Sequence, residues 1–286
     1  MSSVSRPLRS VLYIPGSKAR ALEKAKTLPA DAIIFDLEDA VAPDEKTAAR
    51  SLLAETLTQG AYGARTILLR VNGLDTPWGA DDLAAAKGMA VDAVLLPKVN
   101  GPADIDAAKD IASDNRFWAM VETAEGVLNA QAIAAHSDLD GFVLGTNDLA
   151  KELGCEPGTD RLPLMTSLQM SLLAARAAEI SCIDGVFNAF KDEAGLEAEC
   201  AAGRAMGMDG KTLIHPAQIE IANRAFAPSS EDIDHANKVI AAHEAALEAG
   251  EGVAVLDGRI VENLHVESAQ KTLARAQAIK SMGGGS

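Results

Sequence analysis

Two carboxylates, Glu122 and Asp148, each stand close to the point where an apolar run gives way to polar residues. Glu122 follows the run in FWAMVETAEG (117–126), and Asp148 follows the run in GFVLGTNDLA (141–150). If these runs are neighbouring parallel strands, both carboxylates reach the same edge of a sheet. Two acids that close repel each other, and a divalent cation between them removes the repulsion. Oxygen donors without paired His or Cys ligands favour Mg²⁺, with Mn²⁺ as an alternative, over Zn²⁺.

The alternative for each acid is to sit at the N-terminus of a helix, where the helix dipole favours negative charge. This interpretation suits Asp148, which precedes the helical sequence LAKEL. It suits Glu122 less well, because Thr123 stands beside it and Glu125 is already available as the N-terminal acid. We therefore predict that Glu122 and Asp148 are metal ligands.

Further charged side chains follow two other apolar runs. The segment DLED (36–39) holds three acids, and alternation along a strand places Asp36 and Glu38 on the same side. These acids are predicted to order basic partners around the metal, and Glu38 is counted among the candidate catalytic residues. Arg70 ends an apolar run, where an unpaired guanidinium would be costly. It either pairs with the DLED acids or clamps a substrate carboxylate or a developing oxyanion, or does both.

Basic and amide residues supply candidate contacts for an anionic substrate. The stretch 17–24 places Lys18, Arg20 and Lys24 just after the first apolar run. Such a run is usually a solvated helix face, but in a chain this acidic we interpret it as a phosphate-binding cluster. Asn147 and His215 also follow apolar runs and are predicted to line a pocket, although a lone His is more often structural.

Eight short apolar runs alternate with Ala-rich segments that carry apolar residues at helical spacing. The runs are 10–16, 32–39, 66–73, 92–99, 117–124, 141–148, 182–189 and 211–218. Continuous apolar runs are typical of parallel strands buried on both faces. Eight strand–helix units predict a (β/α)₈ TIM barrel, an α/β fold whose active site lies at the C-terminal ends of the strands. An open doubly wound sheet is the alternative, and the lack of GxGxxG after the first strand disfavours a dinucleotide fold.

The chain continues beyond the eighth unit. We expect a barrel domain over 1–228 and a C-terminal extension over 229–281, built from a helix, a β-ribbon or turn and a second helix. This extension would cap the protein's own active site or that of a neighbouring subunit. The final segment 282–286 (MGGGS) is predicted to be a flexible end.

Composition narrows the class of partner. A net charge of −15 over 286 residues disfavours nucleic acids and anionic membranes, but it permits a small anion held by local cations. No apolar run approaches the length of a membrane span, and the N-terminus lacks the apolar core of a signal peptide. Three cysteines, Cys155, Cys182 and Cys200, show no CxxC spacing, which is consistent with reduced thiols and a cytoplasmic location.

Taken together, these segments resemble the citrate lyase β-subunit-like (HpcH/HpaI aldolase) family of acyl-CoA barrels. The resemblance runs through RSVLYIPGS, DAIIFDLEDAV, LLRVNG, LLPKV, VETAEGVLNAQAIA, LGTNDLA, TLIHPAQI and GRIVENLH. It covers almost the whole chain, and DLEDAV, VETAEG and GTNDLA are specific in combination. The family includes malyl-CoA, methylmalyl-CoA and citramalyl-CoA lyases, citrate lyase β subunits and a (3S)-malyl-CoA thioesterase branch.

The resemblance implies a role for most of the candidate residues. Glu122 and Asp148 would hold Mg²⁺, and Arg70 would hold the substrate carbonyl or carboxylate. The residues that match CoA-contacting positions are Tyr13, Lys18 and Lys24. The family also implies a homotrimer or homohexamer in which the C-terminal segment closes over a neighbour's site.

The C-terminal segment departs from the lyase pattern. Lyases of the family carry an Asp in a GKMID-P stretch as the acid/base, whereas this chain has Glu262 in GRIVENLH, followed by Asn263. Glutamate is one methylene longer, and catalytic geometry is sensitive to displacements of about 1 Å. This segment and DGVFNAFKDEAGL (184–196) look most like the thioesterase branch.

We therefore expect Mg²⁺-dependent hydrolysis of (3S)-malyl-CoA to (S)-malate and CoA, with Glu262 activating water. Two alternatives remain open. One is reversible carbon–carbon cleavage to acetyl- or propionyl-CoA plus glyoxylate or pyruvate, and the other is a citrate lyase β subunit that works within a complex. A catalytically silent binding protein is disfavoured, because the chain retains Glu122, Asp148 and Arg70.

Overall fold

A computed structural model describes residues 6–58, 62–250 and 253–283 of the chain. Eight parallel strands pair in sequence order and close into a barrel, with the first strand hydrogen-bonded to the eighth. The strands are β1 Ser10–Pro15, β2 Ala32–Asp36, β3 Thr66–Arg70, β4 Ala93–Leu96, β5 Phe117–Val121, β6 Leu139–Leu144, β7 Ser181–Asp184 and β8 Gly210–Leu213. The predicted (β/α)₈ barrel is confirmed.

Helices cover the outside of the barrel. They are α1 Ala19–Ala25, α2 Lys46–Thr58, α3 Gly79–Ala86, α4 Pro102–Ile111, α5 Ala124–Leu128, α6 Ala130–Ala134, α7 Thr146–Leu153, α8 Met165–Ala177, α9 Glu193–Met206 and α10 Ile219–Phe226. Short 3₁₀ turns occur at Pro43–Glu45, Leu162–Leu164 and Pro216–Gln218. The strands are shorter than the predicted apolar runs, because the polar residues that close each run belong to the following loop or helix.

The two faces of each strand build two separate cores. One cluster fills the inside of the barrel and includes Val11, Ile34, Leu68, Trp118 and Val143. A larger cluster lies between the outside of the strands and the helices. Strands buried on both faces explain why these segments are apolar throughout rather than alternating.

The inner core ends in a polar layer at the C-terminal ends of the strands. Because side chains repeat on one face every second residue, the positions that follow Ile34, Leu68 and Met120 on the inner face are Asp36, Arg70 and Glu122. The β2–β3 register makes Asp36 and Arg70 direct neighbours. The fold therefore places a basic group and two acids inside one end of the barrel.

The chain forms two compact units, Leu8–Phe226 and a smaller unit that contains Ala227 onward together with Arg6 and Pro7. The smaller unit holds α11 Ser230–Glu248, β9 Ala254–Leu256, β10 Arg259–Val261 and α12 Asn263–Gly283. The predicted extension with a β-ribbon followed by a helix is confirmed. Asp257 and Gly258, with φ of 50° and 75°, join β9 to β10 in the two-residue turn that Asp-Gly favours.

A small apolar core stabilises the C-terminal unit. It is formed by Ala236, Val239, Ala246, Ala254, Val261 and Ala269. Ser229 caps α11, since its hydroxyl accepts a hydrogen bond from the N–H of Asp232. Helix α12 includes Met282 and Gly283, the first two residues of the predicted flexible end, while 284–286 lie outside the described residues.

Within the part of the chain that the structure describes, no helix has the length and apolar character needed to cross a membrane.

Candidate active site

A cavity of about 210 Å³ opens at the C-terminal end of the barrel. Its lining comes from loops and strand ends on both sides of the barrel: Tyr13, Asp36, Asp39, Ala40, Arg70, Met120, Glu122, Leu144, Gly145, Thr146, Asn147, Asp148, Val186, Asn188, Thr212 and Ile214. This is the end of a TIM barrel at which active sites are built. Glu122 and Asp148, predicted to face one space, do so.

Glu122 is the more deeply buried of the two acids. It directly follows β5 and is 2% exposed. The backbone N–H of Lys98 donates a hydrogen bond of 2.9 Å to its Oε1. On the other flank lies Gly145, where an added Cβ would overlap the Glu122 side chain. Only glycine at position 145 leaves room for the carboxylate.

Burial also shifts the protonation equilibrium of Glu122. Removal from water raises its pKa to about 7, the negative charges of Glu38 and Asp148 add to the increase, and the N–H of Lys98 opposes it. A nearby cation stabilises the ionised form of a carboxylate whose pKa is raised in this way. Glu122 is therefore suited to the role of a metal ligand, because a bound cation would keep its carboxylate ionised.

Asp148 occupies a different kind of position. It lies in the first turn of α7, beyond the end of β6, and is half-buried. The sequence allowed two interpretations of Asp148, an acid at the N-terminus of a helix and an acid that faces the site. The structure shows that it is in the first turn of α7 and also lines the cavity. Its carboxylate and that of Glu122 face the same cavity.

The donor set fits Mg²⁺ better than a metal that needs a full protein shell. Among the described residues, no group of three or more His, Cys, Asp or Glu side chains could enclose an ion. Mg²⁺ typically binds through one or two carboxylates and keeps several waters or substrate oxygens. Glu122 and Asp148 match that requirement.

Arg70 is held rigidly beside the two acids. Its Nε and Nη2 donate hydrogen bonds of 2.7 and 2.6 Å to the two oxygens of Asp36. Its Nη1 lies 2.8 Å from Glu38 and 3.5 Å from Asp39, and its guanidinium covers the ring of Tyr13 at 4.9 Å. Burial alone would lower the pKa of Arg70, but Asp36 outweighs this effect and holds the pKa well above its usual value. Arg70 is thus a fixed positive charge in the cavity wall.

Glu38 lies between Arg70 and Lys98. Its Oε1 lies 3.6 Å from the Lys98 Nζ, and burial raises the pKa of Glu38 despite the opposing charge of Arg70. Glu38 and Lys98 also line a second cavity of about 460 Å³ between the loops that follow β3 and β4.

A search against known protein families explains this arrangement. Residues 9–216, most of the barrel, match the family described as HpcH/HpaI aldolase/citrate lyase. The chain belongs to the HpcH/HpaI aldolase/citrate lyase family. Residues 164–279 also match the family described as C–C bond lyase of the TIM-barrel fold.

Relatives within the HpcH/HpaI family cover the chain almost completely. A (3S)-malyl-CoA thioesterase of Cereibacter sphaeroides is 60% identical over 283 residues, which is 99% of each chain. A citrate lyase subunit beta of Escherichia coli K12 is 35% identical and covers 96% of this chain and 94% of the relative. The crystal structure of protein CitE from Mycobacterium tuberculosis, in complex with magnesium, acetoacetate and coenzyme A, has a TM-score of 0.80. It is 30% identical and covers 96% of this chain and 100% of that chain.

Behind the segment that holds the DLED acids (36–39, the acid loop) of this HpcH/HpaI-family barrel lies a buried polar network that was not predicted from the sequence. The Lys46 ammonium donates to the carbonyls of Leu37 (2.9 Å) and Glu38 (2.8 Å) and to Asn72 Oδ1 (2.7 Å). Asn72 in turn donates to Asp82, which also accepts from Arg50. A signal was available: Lys46 shares the buried stripe of α2 with Ala49, Leu53 and Leu57, where a lysine needs buried partners.

A second buried network joins β7 and β8 to α9. Lys211 is fully buried, and its ammonium lies 3.0 Å from Asp184 and 2.6 Å from Glu199. Arg161 completes the group with a contact of 2.6 Å to Asp184. Opposing charges cause the pKa of Asp184 to fall below its ordinary value although burial raises it. These residues stabilise the barrel wall and were not predicted from the sequence.

Other predicted contacts are less close to the cavity of this HpcH/HpaI-family barrel. Lys18 lies just before α1 and Lys24 lies within it; both are exposed and neither lines the cavity. Lys18 forms an ion pair with Glu45 at 3.3 Å. His215 is exposed and stacks on Phe190 at 4.8 Å, while its neighbour Ile214 lines the cavity. Tyr13 and Asn147 do line the cavity, and Asn147 exchanges hydrogen bonds with Asn188.

Glu262 belongs to the C-terminal unit of this HpcH/HpaI-family chain. It is exposed and stands between β10 and α12, and its backbone N–H donates to Nδ1 of His265 at 2.9 Å. Its carbonyl accepts from the N–H of His265 in the first turn of the helix. Its side chain is therefore available to solvent, and its catalytic role stays a prediction.

Proposed function

We propose that this protein is a Mg²⁺-dependent thioesterase that hydrolyses (3S)-malyl-CoA to (S)-malate and CoA. The observation that carries the proposal is the identity of 60% over 99% of the chain to a relative with that activity in its name. The cavity supports it independently, because it brings together a carboxylate pair and a fixed guanidinium. A hydroxy-dicarboxylic acid thioester offers the oxygens and the negative charge that such a pocket binds.

Glu122 and Asp148 are the residues proposed to hold Mg²⁺ (or Mn²⁺). A bound Mg²⁺ would supply positive charge for the malyl hydroxyl and carboxylate and so fix the acyl group in one orientation. The Lys98 N–H, which donates to the Glu122 carboxylate, and the absence of a Cβ at Gly145 hold Glu122 in the position that this role requires.

Arg70 is proposed to stabilise the negative charge that develops on the thioester carbonyl as water attacks. Its paired hydrogen bonds to Asp36 prevent the guanidinium from rotating, so the donor is preorganised. Water gives up a proton to the general base as it adds to the carbonyl carbon, the tetrahedral oxyanion collapses, and the carbon–sulfur bond breaks to release malate and CoA thiolate, which takes up a proton. Glu38 is proposed to tune this centre through Arg70, which it contacts at 2.8 Å.

Direct attack by water is favoured over an acyl-enzyme. The described lining of the cavity contains no Ser, Cys or His that could serve as a nucleophile–base pair. Cys182 and Cys200 are buried, and burial raises the pKa of Cys200 to about 12, so its thiol stays protonated. We propose Glu262 as the general base, since its carboxylate is exposed and stands in the segment that departs from the lyase pattern.

The substrate, including its CoA portion, is proposed to bind through Tyr13, Lys18, Lys24, Asn147 and His215. Lys18 and Lys24 are exposed cations beside the β1 end of the barrel and suit phosphate groups. Tyr13 and Asn147 line the cavity itself and suit the acyl end of the thioester.

Reversible carbon–carbon cleavage is the second candidate, because residues 164–279 match a C–C bond lyase family. Incubating the purified protein with (3S)-malyl-CoA and Mg²⁺, and measuring malate, free CoA and glyoxylate in parallel, separates the two reactions. Hydrolysis predicts equal amounts of malate and CoA without glyoxylate. Stoichiometric glyoxylate and acetyl-CoA would exclude the thioesterase. Turnover of a free CoA thioester by the isolated protein would also count against a citrate lyase β subunit.

We further propose a cytoplasmic homotrimer or homohexamer, with the barrel over 1–228 and the extension over 229–281 capping an active site. The three free cysteines are consistent with a reducing compartment. The C-terminal unit exposes several large apolar side chains that an interface would cover, namely Leu247, Val253, Val255, Ile260 and Leu264. Light scattering coupled to size-exclusion chromatography tests the assembly; a monomer at all concentrations would refute it.

A further inference from the structure

Lys98 combines an unfavourable backbone conformation with a hydrogen bond to the proposed metal ligand Glu122. Its φ is +48°, in the left-handed region that residues with a Cβ rarely adopt. It shares this feature with three other described non-glycine residues, Arg161, Glu179 and Asp257. A strained residue persists only where its surroundings enforce the conformation, and such residues concentrate at functional sites.

The residues on either side of Lys98 restrict its backbone conformation. Pro97 follows the last residue of β4, and its ring fixes its own φ. Val99 is buried, its N–H donates to the Met120 carbonyl at 3.3 Å, and its own carbonyl packs against Gly126. The backbone changes direction between Pro97 and Val99, and it does so through the positive φ of Lys98.

The consequence of this turn is the direction of one N–H group. The Lys98 N–H meets Oε1 of Glu122 at 2.9 Å, while the N–H of the next residue returns to the β5 backbone. The Lys98 side chain has a different contact, since it is 53% exposed and its Nζ lies 3.6 Å from Glu38. The backbone N–H therefore contacts Glu122 and the ammonium contacts Glu38, while the charge of the ammonium also acts over a longer distance on Glu122 and Asp148.

We propose that Lys98 is a positioning residue whose left-handed backbone presents its N–H to Glu122 and so orients this carboxylate toward a divalent cation. The proposal rests on the proposed function only in taking Glu122 and Asp148 as the metal ligands. Among variants that lack the ammonium, metal affinity then depends on whether residue 98 tolerates a positive φ; the loss of the charge itself affects all of them alike. Groups that orient a metal ligand commonly change metal affinity by about 10- to 100-fold when they are lost.

Four substitutions separate the backbone from the side chain. K98G, K98N, K98A and K98V all remove the ammonium. Glycine and asparagine accept a positive φ, alanine accepts it poorly and the β-branched valine least of all. Glu179 provides the matched control, because it is exposed, has a φ of 57° and lies before β7, at the opposite end of the barrel from the cavity. E179G and E179V impose the same backbone change away from the proposed metal site.

Binding of Mn²⁺, measured by electron paramagnetic resonance without substrate, gives a readout that does not depend on activity. K98G and K98N are expected to bind Mn²⁺ at least as tightly as the unmodified protein, because they keep the N–H in place. K98A is expected to bind Mn²⁺ more weakly than K98G, and K98V to bind it at least about 10-fold more weakly than K98G. E179G and E179V are expected to leave Mn²⁺ binding unchanged, and thermal unfolding of the metal-free proteins reports any general loss of structure.

Two results would overturn the proposal. If all four variants at position 98 changed Mn²⁺ affinity by the same factor, the ammonium and not the backbone would act. If K98V bound Mn²⁺ like K98G, the N–H would have no role in holding Glu122. Parallel measurements on E122A and D148A identify a different failure: if these variants bound Mn²⁺ normally, the metal site of the proposed function would be wrong as well.

Discussion

At the scale of single residues, the site depends on how Glu122 is held. Its carboxylate lies between a backbone N–H on one side and a glycine on the other. Neither feature involves a conventional catalytic side chain, so neither carries a clear signal in the sequence. The sequence identified Glu122, Asp148 and Arg70 because acidic and basic side chains after apolar runs are conspicuous. It did not identify Lys98 and Gly145 as the residues that contact the Glu122 carboxylate. The direction of a backbone N–H and the space beside a glycine produce no pattern of side-chain types in the sequence.

Gly145→Ala tests the space beside Glu122. An added Cβ would overlap the Glu122 side chain, so the carboxylate must leave its position. We expect Mg²⁺-dependent turnover to fall by about 10- to 100-fold, the range seen when the support of a metal ligand is lost. Gly88→Ala is the control, because its Cβ would make only an ordinary contact of 3.8 Å. Steady-state kinetics over a range of Mg²⁺ concentrations provide the measurement, and normal Mg²⁺ activation of the G145A variant would contradict the expectation.

At the scale of secondary-structure elements, buried polar networks fix the loops that carry the site. Lys46 on α2 binds two carbonyls of the loop after β2, and through Asn72 it reaches the loop after β3. The periodic apolar pattern predicted the strands and helices correctly, because it reflects burial. It could not predict which buried polar residues pair with one another, because those pairs join segments that are distant in sequence.

Lys46→Met tests the network behind the acid loop. Methionine fills similar space but leaves the Glu38 carbonyl and the Asn72 amide oxygen without the lysine donor, and the Leu37 carbonyl keeps only its hydrogen bond from Asn72. Hydrogen bonds that involve a charged group are each worth about 1.5–3 kcal/mol, so we expect a loss of at least that size in the free energy of unfolding. Because the loop also positions Asp36 and Glu38, kcat should fall as well. Urea unfolding and kinetics check both effects, and exposed Lys87→Met should change neither.

The β7–β8–α9 network predicts a pH dependence of stability. Opposing charges hold the pKa of Asp184 below its ordinary value in the folded protein. Ionised Asp184 therefore contributes stability above the unfolded-state pKa of about 4, and this contribution is lost as the pH falls through the folded-state pKa. Asp184→Asn leaves Lys211 and Arg161 without this partner and should cost about 3–5 kcal/mol at pH 7. Urea unfolding should show the difference between the two proteins shrinking at acidic pH; an equal difference at all pH values would refute the assignment.

At the scale of the whole molecule, the strand count and the closed barrel follow from the eightfold alternation of apolar runs and helical segments. The barrel explains why acids that are 26 positions apart in sequence, Glu122 and Asp148, reach one cavity. The C-terminal unit is harder to relate to function from sequence, because its contribution depends on Glu262, whose exposed side chain makes no contact that fixes a role. The architecture thus places the proposed site for the acyl group within the barrel unit, and the activity assay distinguishes hydrolysis from cleavage.

A metal between β5 and α7 should stabilise the barrel as a whole. A ligand that binds only the folded state at 100 times its Kd adds about 2.7 kcal/mol to the free energy of unfolding. For a unit of this size we expect a rise in Tm of about 5–10 °C on addition of saturating Mg²⁺, reversed by EDTA. Both tryptophans, Trp78 and Trp118, lie in the barrel unit, so their fluorescence reports its unfolding separately from that of the C-terminal unit. E122A and D148A should fold but show no rise in Tm, whereas a rise of equal size in these variants would place the metal elsewhere.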